Sequence, residues 1–447
     1  MAKYQQFAEY KDSGVEWLGK IPKDWSTISL KRKASFITGM TPSTAISAYY
    51  SDDVTIYEWV RPEDIKEDTE KVCGTKYLTE LGWKTQRKVA KNSVLLCCIG
   101  TIGKAGYASK TITTNQQITA VSFKDNSKYN YYLLLAARNE LEQMATGNVV
   151  KILNSERLGQ LSIPKVDLYQ ANQIANFLDH ETAQIDTLIE KQKTLIQLLK
   201  EKRQAVISHA VTKGLNPDAP MKDSGVEWLG EVPEHWVVAQ FKFNTLVMQT
   251  GPFGSQLHAE EYIEDGIPLI NPAHMIDGEI VPDSRVTVDE TTQERLERHK
   301  LSEGDIIFAR RGELGRCAIV HKHQEGWICG TGSLRATLND KLISEYAYLL
   351  IASDGLISEL SLESKGSTMD NLNTETLGRV RMPVPPRNEQ NKIISHVSQV
   401  FGKYKVLIGN AERAIQLMQE RRTALISAAV TGKIDVRGWR TPDSDAV

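Results

Sequence analysis

The chain has 447 residues, of which 41% are hydrophobic and 25% are charged, and its formal net charge is −2. This composition is typical of a folded globular protein and argues against extensive disorder. The length allows roughly two to three domains. Dedicated nucleic-acid binders are often basic overall, so a nucleic-acid role for this chain would require local patches, partner subunits or both.

The sequence contains neither an apolar run near the roughly 20 residues of a membrane helix nor the apolar core of a signal peptide at its start. The five cysteines are odd in number and show no CxxC spacing, which indicates free thiols in a reducing compartment. We therefore expect a cytoplasmic protein.

Two long matches divide the chain into similar halves. KDSGVEWLG at residues 11–19 recurs letter for letter at residues 222–230, and each copy is followed by a proline and then a tryptophan. EKRQAVISHAVT at residues 201–212 is matched by ERRTALISAAVT at residues 420–431, which lies 219 positions later. Such long-period self-similarity predicts two similar units in series.

Shorter matches lie between the long ones in the same order. Thr38-Gly39 matches Thr250-Gly251, and a GxxG turn followed by a basic residue occurs once in each half. The residues of these turns are Gly100, Gly103 and Lys104 in the first half, and Gly312, Gly315 and Arg316 in the second. The duplication therefore covers nearly the whole chain.

Each half changes character along its length. Residues 1–165 and 216–384 mix short β-like runs with turns and helical patches, which predicts two α+β globules. Residues 166–215 and 385–436 predict two long helices, and residues 437–447 form a tail.

Both long helices carry apolar residues at heptad spacing. At 1.5 Å per residue, a helix of about 40 residues is about 60 Å long and cannot bury such a stripe alone. We therefore expect the two helices to form an antiparallel pair with a globule near each end. The alternative is that each helix packs on its own globule. The heptad residues are Ile185, Leu188, Leu195, Leu199 and Val206, with Gln192 and Lys202 as polar interruptions, and Tyr404, Leu407, Ala411, Ala414, Met418 and Leu425.

Local motifs give no indication of catalysis. Gly100 to Ala105 resembles a phosphate loop, but the GxxxxGK[ST] spacing fails and no hydroxyl follows Lys104. A β-turn with a basic tip is the better interpretation. His321 and His323 would share one side of a strand, but no acid or cysteine lies at ligand spacing, so we predict no metal site.

The combination of motifs resembles one known family. Each half opens with SGVEWLGxxPxxW, and Pro383 to Ile393 (PVPPRNEQNKI) precedes the second long helix. With the TPS run ending at Ser43 and the GPFGS run ending at Ser255, this pattern is similar to the specificity subunit of type I restriction-modification systems. In the first half, Pro164 to Ile174 lacks the double proline and the Glu-Gln, which leaves the start of that helix uncertain by a few residues.

The resemblance implies an α+β protein with internal duplication and pseudo-twofold symmetry. Two target-recognition domains would be separated by an antiparallel pair of long coiled-coil helices. Each domain would recognise one half of a bipartite site on double-stranded DNA, and the helices would set the gap and dock two methyltransferase subunits. The chain itself would be non-catalytic and without cofactors. Restriction/translocase subunits would also join, and S-adenosylmethionine, ATP and magnesium would be bound by partner subunits.

Two other functions stay open at this point. The chain could belong to a methylation-only system that lacks a nuclease, or it could be a coiled-coil interaction scaffold that does not bind DNA.

Candidate DNA contacts are polar and basic residues near the shared turns, since arginine pairs with guanine, and asparagine or glutamine pairs with adenine. Each of them could instead be a solvated surface residue or a loop cap. In the first half they are Thr41, Ser43, Thr101, Lys104, Asn115, Gln116 and Gln117, with Arg61, Lys84, Arg87 and Lys88 as phosphate contacts. In the second half they are Ser255, Gln256, Arg310, Arg311, Arg316, Ser333 and Arg335.

The charged residues of the repeated helix segment are the candidate partner contacts, and we expect all six to be exposed. They are Glu201, Lys202, Arg203, Glu420, Arg421 and Arg422.

Overall fold

The computed structural model describes residues 4–66, 71–276, 278–312, 314–364 and 372–440. The later part of the predicted tail, residues 441–447, lies outside the described residues. The chain forms two compact units. Unit 1 contains Met1–Thr194 and Glu412–Val447, and unit 2 contains Leu195–Ala411.

Unit 1 is built around a four-stranded antiparallel sheet with several two-stranded pairs beside it. Its strands are β1 (Tyr10–Asp12), β2 (Lys20–Pro22), β3 (Ser26–Ser29), β4 (Ala34–Thr38), β5 (Tyr50–Ser51), β6 (Trp59–Val60), β7 (Tyr77–Leu78), β8 (Val94–Cys97), β9 (Ala105–Tyr107), β10 (Thr113–Thr114), β11 (Ile118–Phe123) and β12 (Ser162–Lys165). Its helices are α1 (Glu80–Lys84), α2 (Ser127–Ala136), α3 (Arg138–Met144), α4 (Ser155–Gln160), the first part of α5 (Leu168–Lys213) and the last part of α10 (Arg387–Val430).

Unit 2 also has a four-stranded antiparallel sheet, with a three-stranded sheet and several two-stranded pairs beside it. Its strands are β13 (Met221–Asp223), β14 (Glu231–Pro233), β15 (Val237–Gln240), β16 (Thr245–Thr250), β17 (Ile267–Ile270), β18 (Met275–Ile276), β19 (Glu279–Ile280), β20 (Thr287–Val288), β21 (Ile306–Ala309), β22 (Cys317–Ile319), β23 (Ile328–Cys329), β24 (Ser333–Leu338) and β25 (Arg381–Val384). Its helices are the last part of α5, α6 (Glu290–Arg295), α7 (Ser344–Ile351), α8 (Asp354–Ser364), α9 (Thr374–Arg379) and the first part of α10 (Arg387–Val430).

The main sheets of the two units have the same strand order. In unit 1 the order is β4-β11-β8-β9, and in unit 2 it is β16-β24-β21-β22, with antiparallel pairing throughout. A short parallel pair stands in the same place in each unit, β10 with β6 and β23 with β17. The internal duplication predicted from the sequence is therefore a duplication of topology.

The repeated KDSGVEWLG segment forms the turn of a short hairpin in both units. The carboxylate of Asp12 accepts a hydrogen bond from the Gly14 N–H at 2.9 Å, and Asp223 accepts the same bond from Gly225 at 2.8 Å. Both glycines have positive φ, 69° and 64°, a conformation that side chains disfavour. The nine identical residues thus preserve a structural turn.

The tryptophan that follows each hairpin contacts the start of a long helix. Trp25 Nε1 donates to Gln170 Oε1 at 2.8 Å, and Trp236 Nε1 donates to Glu389 Oε2 at 3.1 Å. The start of α5, which the sequence left uncertain, is fixed by Asp167, whose carboxylate accepts from the Gln170 N–H at 2.9 Å. Each globule therefore holds the first turn of one long helix through its tryptophan.

Within each unit, the segments of α5 and α10 pack against each other in antiparallel orientation. In unit 1, Arg422 Nε donates to Asp186 Oδ1 at 2.9 Å. Farther along α10, the Val430 carbonyl accepts from the buried Tyr129 hydroxyl at 3.2 Å. In unit 2, the Arg203 guanidinium lies 5.0 Å from the centroid of the Phe401 ring. The buried core of each unit includes residues of both helix segments and of the globule, so the predicted helix pairing is confirmed.

The predicted heptad register is correct at every second position and wrong by one residue at the others. On α5, Ile185 and Ile189 are buried at 6% exposure, whereas Leu188 and Leu195 are 49% and 42% exposed. On α10, Ile408 is buried and Leu407 is 40% exposed. Apolar residues of a heptad stripe are spaced alternately by three and four residues. After Ile185, Leu188 fits a spacing of three and Ile189 fits a spacing of four, so the sequence alone did not show which of the two is buried.

Among the described residues, none of the helices is long and apolar enough to cross a membrane.

Candidate nucleic-acid interface

In unit 1, backbone hydrogen bonds hold the Thr-Gly loop beside the β10–β11 turn. The Gly39 N–H donates to the Ile118 carbonyl at 3.1 Å, and the Met40 N–H donates to the Thr114 carbonyl at 2.8 Å. A Cβ at Gly39 would lie 2.2 Å from the Thr114 carbonyl oxygen, so only glycine fits. This close approach explains why Thr-Gly occurs in both halves.

Exposed polar residues meet where these two loops touch. The Thr41 hydroxyl donates to Gln116 Oε1, and both side chains are exposed. Asn115 is buried, and its side chain is hydrogen-bonded within the turn. Its amide donates to Gln117 Oε1 at 2.9 Å, and its side-chain oxygen accepts from the Gln117 N–H at 3.1 Å. Of the three predicted residues in this turn, Gln116 is the exposed one. Asn115 shapes the turn.

Arg61 and Arg87 lie beside the same loop. Trp59 Nε1 donates to the Met40 carbonyl at 3.0 Å, and the Arg61 guanidinium lies 5.9 Å from the Trp59 ring centroid and pairs with Glu63 at 2.8 Å. Arg87 Nη1 donates to the Thr38 carbonyl at 3.1 Å. The structure therefore brings together a polar group that we call the first face: Thr41, Ser43, Arg61, Arg87 and Gln116.

Lys84 and Lys88 lie on or just after helix α1. Lys84 is exposed and pairs with Glu80 at 2.7 Å, and this partner raises the pKa of Lys84. The Lys88 ammonium lies 5.2 Å from the Trp83 ring centroid and donates to the Gln86 carbonyl at 2.7 Å. Lys84 is thus the more accessible of the two cations.

In unit 2, residues 332–333 lie between the Thr-Gly loop and the end of β21. The Gly251 N–H donates to the Ser333 carbonyl and the Arg310 N–H donates to the Gly332 carbonyl, both at 2.9 Å. A Cβ at Gly251 would lie 1.8 Å from the Gly330 carbonyl oxygen. The backbone arrangement is therefore that of unit 1.

The polar residues of this region form the second face, which we define as Ser255, Gln256, Arg310 and Arg311. Arg310 is half-buried, and its Nε donates to the Leu372 carbonyl at 3.2 Å. Burial lowers the pKa of Arg310, and the neighbouring charge of Arg311 lowers it further. Arg311, Ser255 and Gln256 are exposed. The guanidinium of Arg311 is therefore the more accessible of the two.

Ser333 and Arg335 have structural partners. The Ser333 hydroxyl is buried and donates to the Ile270 carbonyl at 2.9 Å. The Arg335 side chain is 12% exposed, and its Nη1 donates to the fully buried Asp305 carboxylate at 3.0 Å. Both residues lie on β24, where they stabilise the structure that carries the second face and are not part of its exposed surface.

The two GxxG segments lie between paired strands, β8 and β9 in unit 1 and β21 and β22 in unit 2, and their four glycines have φ between 78° and 84°. Thr101 is exposed in the first turn. The base after each turn contacts the same place in its unit. Lys104 Nζ donates to the Pro62 carbonyl at 3.0 Å, and Arg316 Nη1 donates to the Pro272 carbonyl at 3.3 Å. Because the segment from Gly100 to Ala105 joins two paired strands, its interpretation as a turn is confirmed. The predicted basic tip is wrong, since Lys104 follows the turn and is half-buried, whereas Thr101 is exposed.

His321 precedes a short 3-10 turn (Lys322–Gln324) and His323 lies within it, so the two residues do not share a strand. Their rings stack with centroids 6.1 Å apart, and His321 Nε2 lies 3.3 Å from Glu279 Oε2. Across the described parts of the chain, no group of three or more histidine, cysteine, aspartate or glutamate side chains could hold a metal ion.

His299 was not among the residues predicted from the sequence. Its ring is buried, its Nδ1 lies 2.9 Å from the Thr250 carbonyl, and burial lowers its pKa. His299 occupies the position of Arg87 in the duplicated frame, since both residues contact the threonine carbonyl of the Thr-Gly pair. Aligning the two halves through their Thr-Gly pairs would have revealed this match.

The six predicted partner-contact residues are not all exposed as we expected. Glu201, Lys202, Glu420 and Arg421 are exposed, whereas Arg203 and Arg422 are half-buried against the neighbouring helix of their unit. The correction follows from the register. A shift of one position turns Arg203 and Arg422 toward the seam and leaves Lys202 and Arg421 facing outward.

Each unit displays the same kind of exposed side chains on its two helix segments. Unit 1 has Leu188, Leu417 and Arg421, and unit 2 has Leu407, Leu198 and Lys202 at the matching positions of the repeat. Exposures of the four leucines lie between 40% and 56%. Large apolar side chains exposed in a repeated pattern indicate a contact surface.

This chain is similar to known proteins in sequence and in fold. The family described as type I restriction modification DNA specificity domain matches residues 22–198 and 256–410. The type I restriction enzyme MjaIX specificity subunit of Methanocaldococcus jannaschii is 26% identical over 98% of this chain and 99% of its own. The EcoBI specificity subunit of Escherichia coli is 21% identical over 98% and 92%, respectively.

A chain in a solved structure on complex assembly and conformational transition of the type I R-M system shares the fold. Its TM-score is 0.66 at 14% identity, and the match covers 93% of this chain and 99% of that one. The duplicated topology agrees with the two matched segments. The chain therefore belongs to the type I restriction-modification DNA specificity family and is a specificity subunit of such a system.

Proposed function

We propose that each unit recognises one half of a bipartite DNA site, unit 1 through the first face and unit 2 through the second. The proposal rests on one observation: the two units have the same backbone arrangement but carry different side chains at matching positions. Matching positions hold Thr41 and Phe253, Arg87 and His299, and Cys98 and Arg310. Different donors and acceptors on one backbone frame suit two different base sequences.

Within each face, the candidates divide by accessibility. Gln116, Ser255, Gln256 and Arg311 have exposed polar groups suited to base edges, and the half-buried Arg310 presents a positioned guanidinium. Arg61 and Arg87, together with Thr41 and Ser43, suit either bases or phosphates. Thr101 and Lys84 are exposed farther along unit 1 and suit the phosphate backbone.

The remaining candidates, apart from the exposed Lys88, support the faces without being their accessible part. These are Asn115, Gln117, Lys104, Arg316, Ser333 and Arg335, which are buried or half-buried with intramolecular partners.

As a specificity subunit, the chain assembles with other subunits and DNA. We propose that the exposed leucines and cations of the helix segments dock two methyltransferase subunits, one on each unit, since both units display the same set. Glu201, Lys202, Glu420 and Arg421 lie on these segments and suit charged contacts at the rim of such an interface. Restriction/translocase subunits would join that core.

We further propose that the helices set the gap between the half-sites. Both α5 and α10 continue without interruption across the boundary between the units. The same face of a DNA duplex recurs roughly every 34 Å, which is one helical turn. Two units that bind half-sites on one face therefore need a spacer of fixed length, and that length would set the preferred gap.

A heptad insertion tests this spacer role. Adding seven residues to α5 and seven to α10 keeps the heptad pattern and lengthens each helix by roughly 10 Å. We expect the methylated sites to show a different gap, or methylation to be lost, with half-site sequences unchanged. Methylation at the original gap with undiminished preference would contradict the spacer role.

We also propose that the chain performs no chemical step, and that S-adenosylmethionine, ATP and magnesium act on its partners. Support comes from the site itself, because the candidate residues form two polar faces near hairpin turns, and the buried Asp305–Arg335 ion pair of unit 2 is a structural contact. Such faces can position a duplex for enzymes that another subunit supplies.

Purification of the chain with a methyltransferase partner, followed by genome-wide sequencing of methylated adenines, tests the function directly. We expect one asymmetric bipartite motif, which should disappear when this chain is omitted. Methylation that is independent of the chain would contradict the proposal. Copurification or absence of a nuclease subunit would separate a full restriction system from a methylation-only one.

A further inference from the structure

Phe253 is a large apolar side chain beside the polar groups of the second face. It lies in the GPFGS turn directly after β16, and its side chain is 60% exposed. The next residues along the chain, Gly254, Ser255 and Gln256, are also exposed. The matching position in unit 1 holds Thr41, whose hydroxyl is hydrogen-bonded within the first face. Unit 2 therefore presents an aromatic ring where unit 1 presents a polar group.

The backbone that carries Phe253 is held from several sides. Gly251 is pressed against the Gly330 carbonyl, and Pro252 is buried. The Phe253 N–H donates to Gln256 Oε1 at 3.1 Å, and Arg295 Nη1 donates to the Gln256 carbonyl at 2.6 Å. Because the turn is fixed at both ends, the exposed ring loses little backbone freedom on binding.

An exposed ring on a fixed turn suits contact with the interior of a base stack. DNA-binding proteins insert apolar side chains between base pairs and partially unstack them, most easily at flexible pyrimidine–purine steps. Every base offers an aromatic face for such contact. The neighbouring Arg310 and Arg311 supply positive charge that can hold the duplex against the ring.

We propose that Phe253 is an apolar wedge that unit 2 inserts between base pairs of its half-site. The proposal rests on DNA recognition by the second face and adds deformation of the duplex to it. The wedge would make the second half-site sensitive to how easily its sequence unstacks, and the first half-site would lack this dependence.

The test compares Phe253→Ala with Phe243→Ala in the assembled methyltransferase complex. Phe243 is 61% exposed in the same unit and precedes β16, so it lies roughly 20 Å away along the strand. We expect Phe253→Ala to weaken binding of the specific duplex about ten-fold to a hundred-fold, with subunit assembly retained. Phe253→Leu should keep most of the affinity, and Phe243→Ala should match the wild type.

A fluorescent base provides the second measurement. 2-Aminopurine replaces each adenine of the second half-site in turn, apart from the methylated one, and its fluorescence rises when stacking is lost. We expect one position to brighten with the wild type and with Phe253→Leu, but not with Phe253→Ala.

Several results would overturn the wedge. These are wild-type affinity in Phe253→Ala, an equal loss in Phe243→Ala, loss of subunit assembly, or an affinity loss reproduced by replacing thymine with deoxyuridine. The last result would make the ring a groove contact with a thymine methyl group. If the wild-type complex itself preferred no bipartite site, the proposed function would fail, and not the wedge alone.

Discussion

Arg335 was predicted to contact DNA, but in the structure it neutralises the buried carboxylate of Asp305. The Asp305 carboxylate is fully buried and accepts from Arg335 Nη1 at 3.0 Å and from the Thr337 hydroxyl at 2.6 Å. In unit 1 the matching place is neutral, because the Ser93 and Ser122 hydroxyls hydrogen-bond at 2.7 Å. The two units therefore satisfy one buried position with different chemistry.

We predict that Arg335→Ala lowers the free energy of unfolding of unit 2 by about 3–5 kcal/mol, because it leaves Asp305 buried without its cation. The double variant Asp305→Ser with Arg335→Ala gives unit 2 the residues of unit 1, where Ala120 occupies the Arg335 position. It should recover most of that stability. Urea denaturation of the three proteins measures the difference, and a double variant less stable than Arg335→Ala would contradict the pairing.

Residue types alone suggested Arg335 and Ser333 as DNA contacts, as they did Arg310 and Gln116. The sequence predicted which segments meet, since Thr-Gly and GxxG recur in order. In the structure, the half-buried Arg335 and the buried Ser333 are hydrogen-bonded to Asp305 and Ile270, which lie far away in the chain, and so they differ from the exposed Gln116. A sequence pattern carries no direct record of such partners.

The sequence predicted that the two long helices exist. It did not predict which side of each helix faces the other. Both Leu188 and Ile189 fit an apolar heptad position, and the structure turns Ile189 into the seam. The exposed neighbour is then available for a partner subunit. Adjacent residues thus have separate roles, stability for one and assembly for the other.

We predict opposite effects for these two neighbours. Ile189→Ala should lower the free energy of unfolding by about 2–4 kcal/mol because it opens a cavity in the seam. Leu188→Ala should change it by about 0.5 kcal/mol or less.

For assembly with the methyltransferase subunit, we expect the reverse order. Leu188→Asp should weaken assembly strongly and leave the thermal transition of the isolated chain near that of the wild type. Equal destabilisation by Leu188→Ala and Ile189→Ala would contradict this assignment, and a larger loss in Leu188→Ala would place the seam in the other register.

The end of the described chain contributes to the core of unit 1. Ile434 and Val436 are each 3% exposed, the Asp435 N–H donates to the Gln5 carbonyl at 2.8 Å, and the Trp439 ring lies 5.6 Å from that of Phe177. The sequence placed the second helix segment at 385–436 and a tail after it. It gave no sign that residues on both sides of that limit belong to the fold of unit 1.

We predict that Ile434→Ala with Val436→Ala destabilises unit 1 by about 3–5 kcal/mol, since two buried aliphatic side chains are truncated. Unit 2 should keep its own transition. The control is Lys433→Ala with Arg440→Ala, because both side chains are exposed. Hydrogen exchange monitored by mass spectrometry distinguishes the units. Faster exchange in unit 2 as well as in unit 1 would contradict the assignment of this segment to unit 1.

The central claim is that two units of one chain recognise two half-sites independently. Sequencing of methylated adenines with the wild type, Gln116→Ala and Arg310→Ala tests it most directly. We predict that Gln116→Ala relaxes base preference only in one half-site and Arg310→Ala only in the other, each at a cost of about 1–3 kcal/mol in discrimination. If either variant relaxed both half-sites, or if both relaxed the same one, the account would be contradicted.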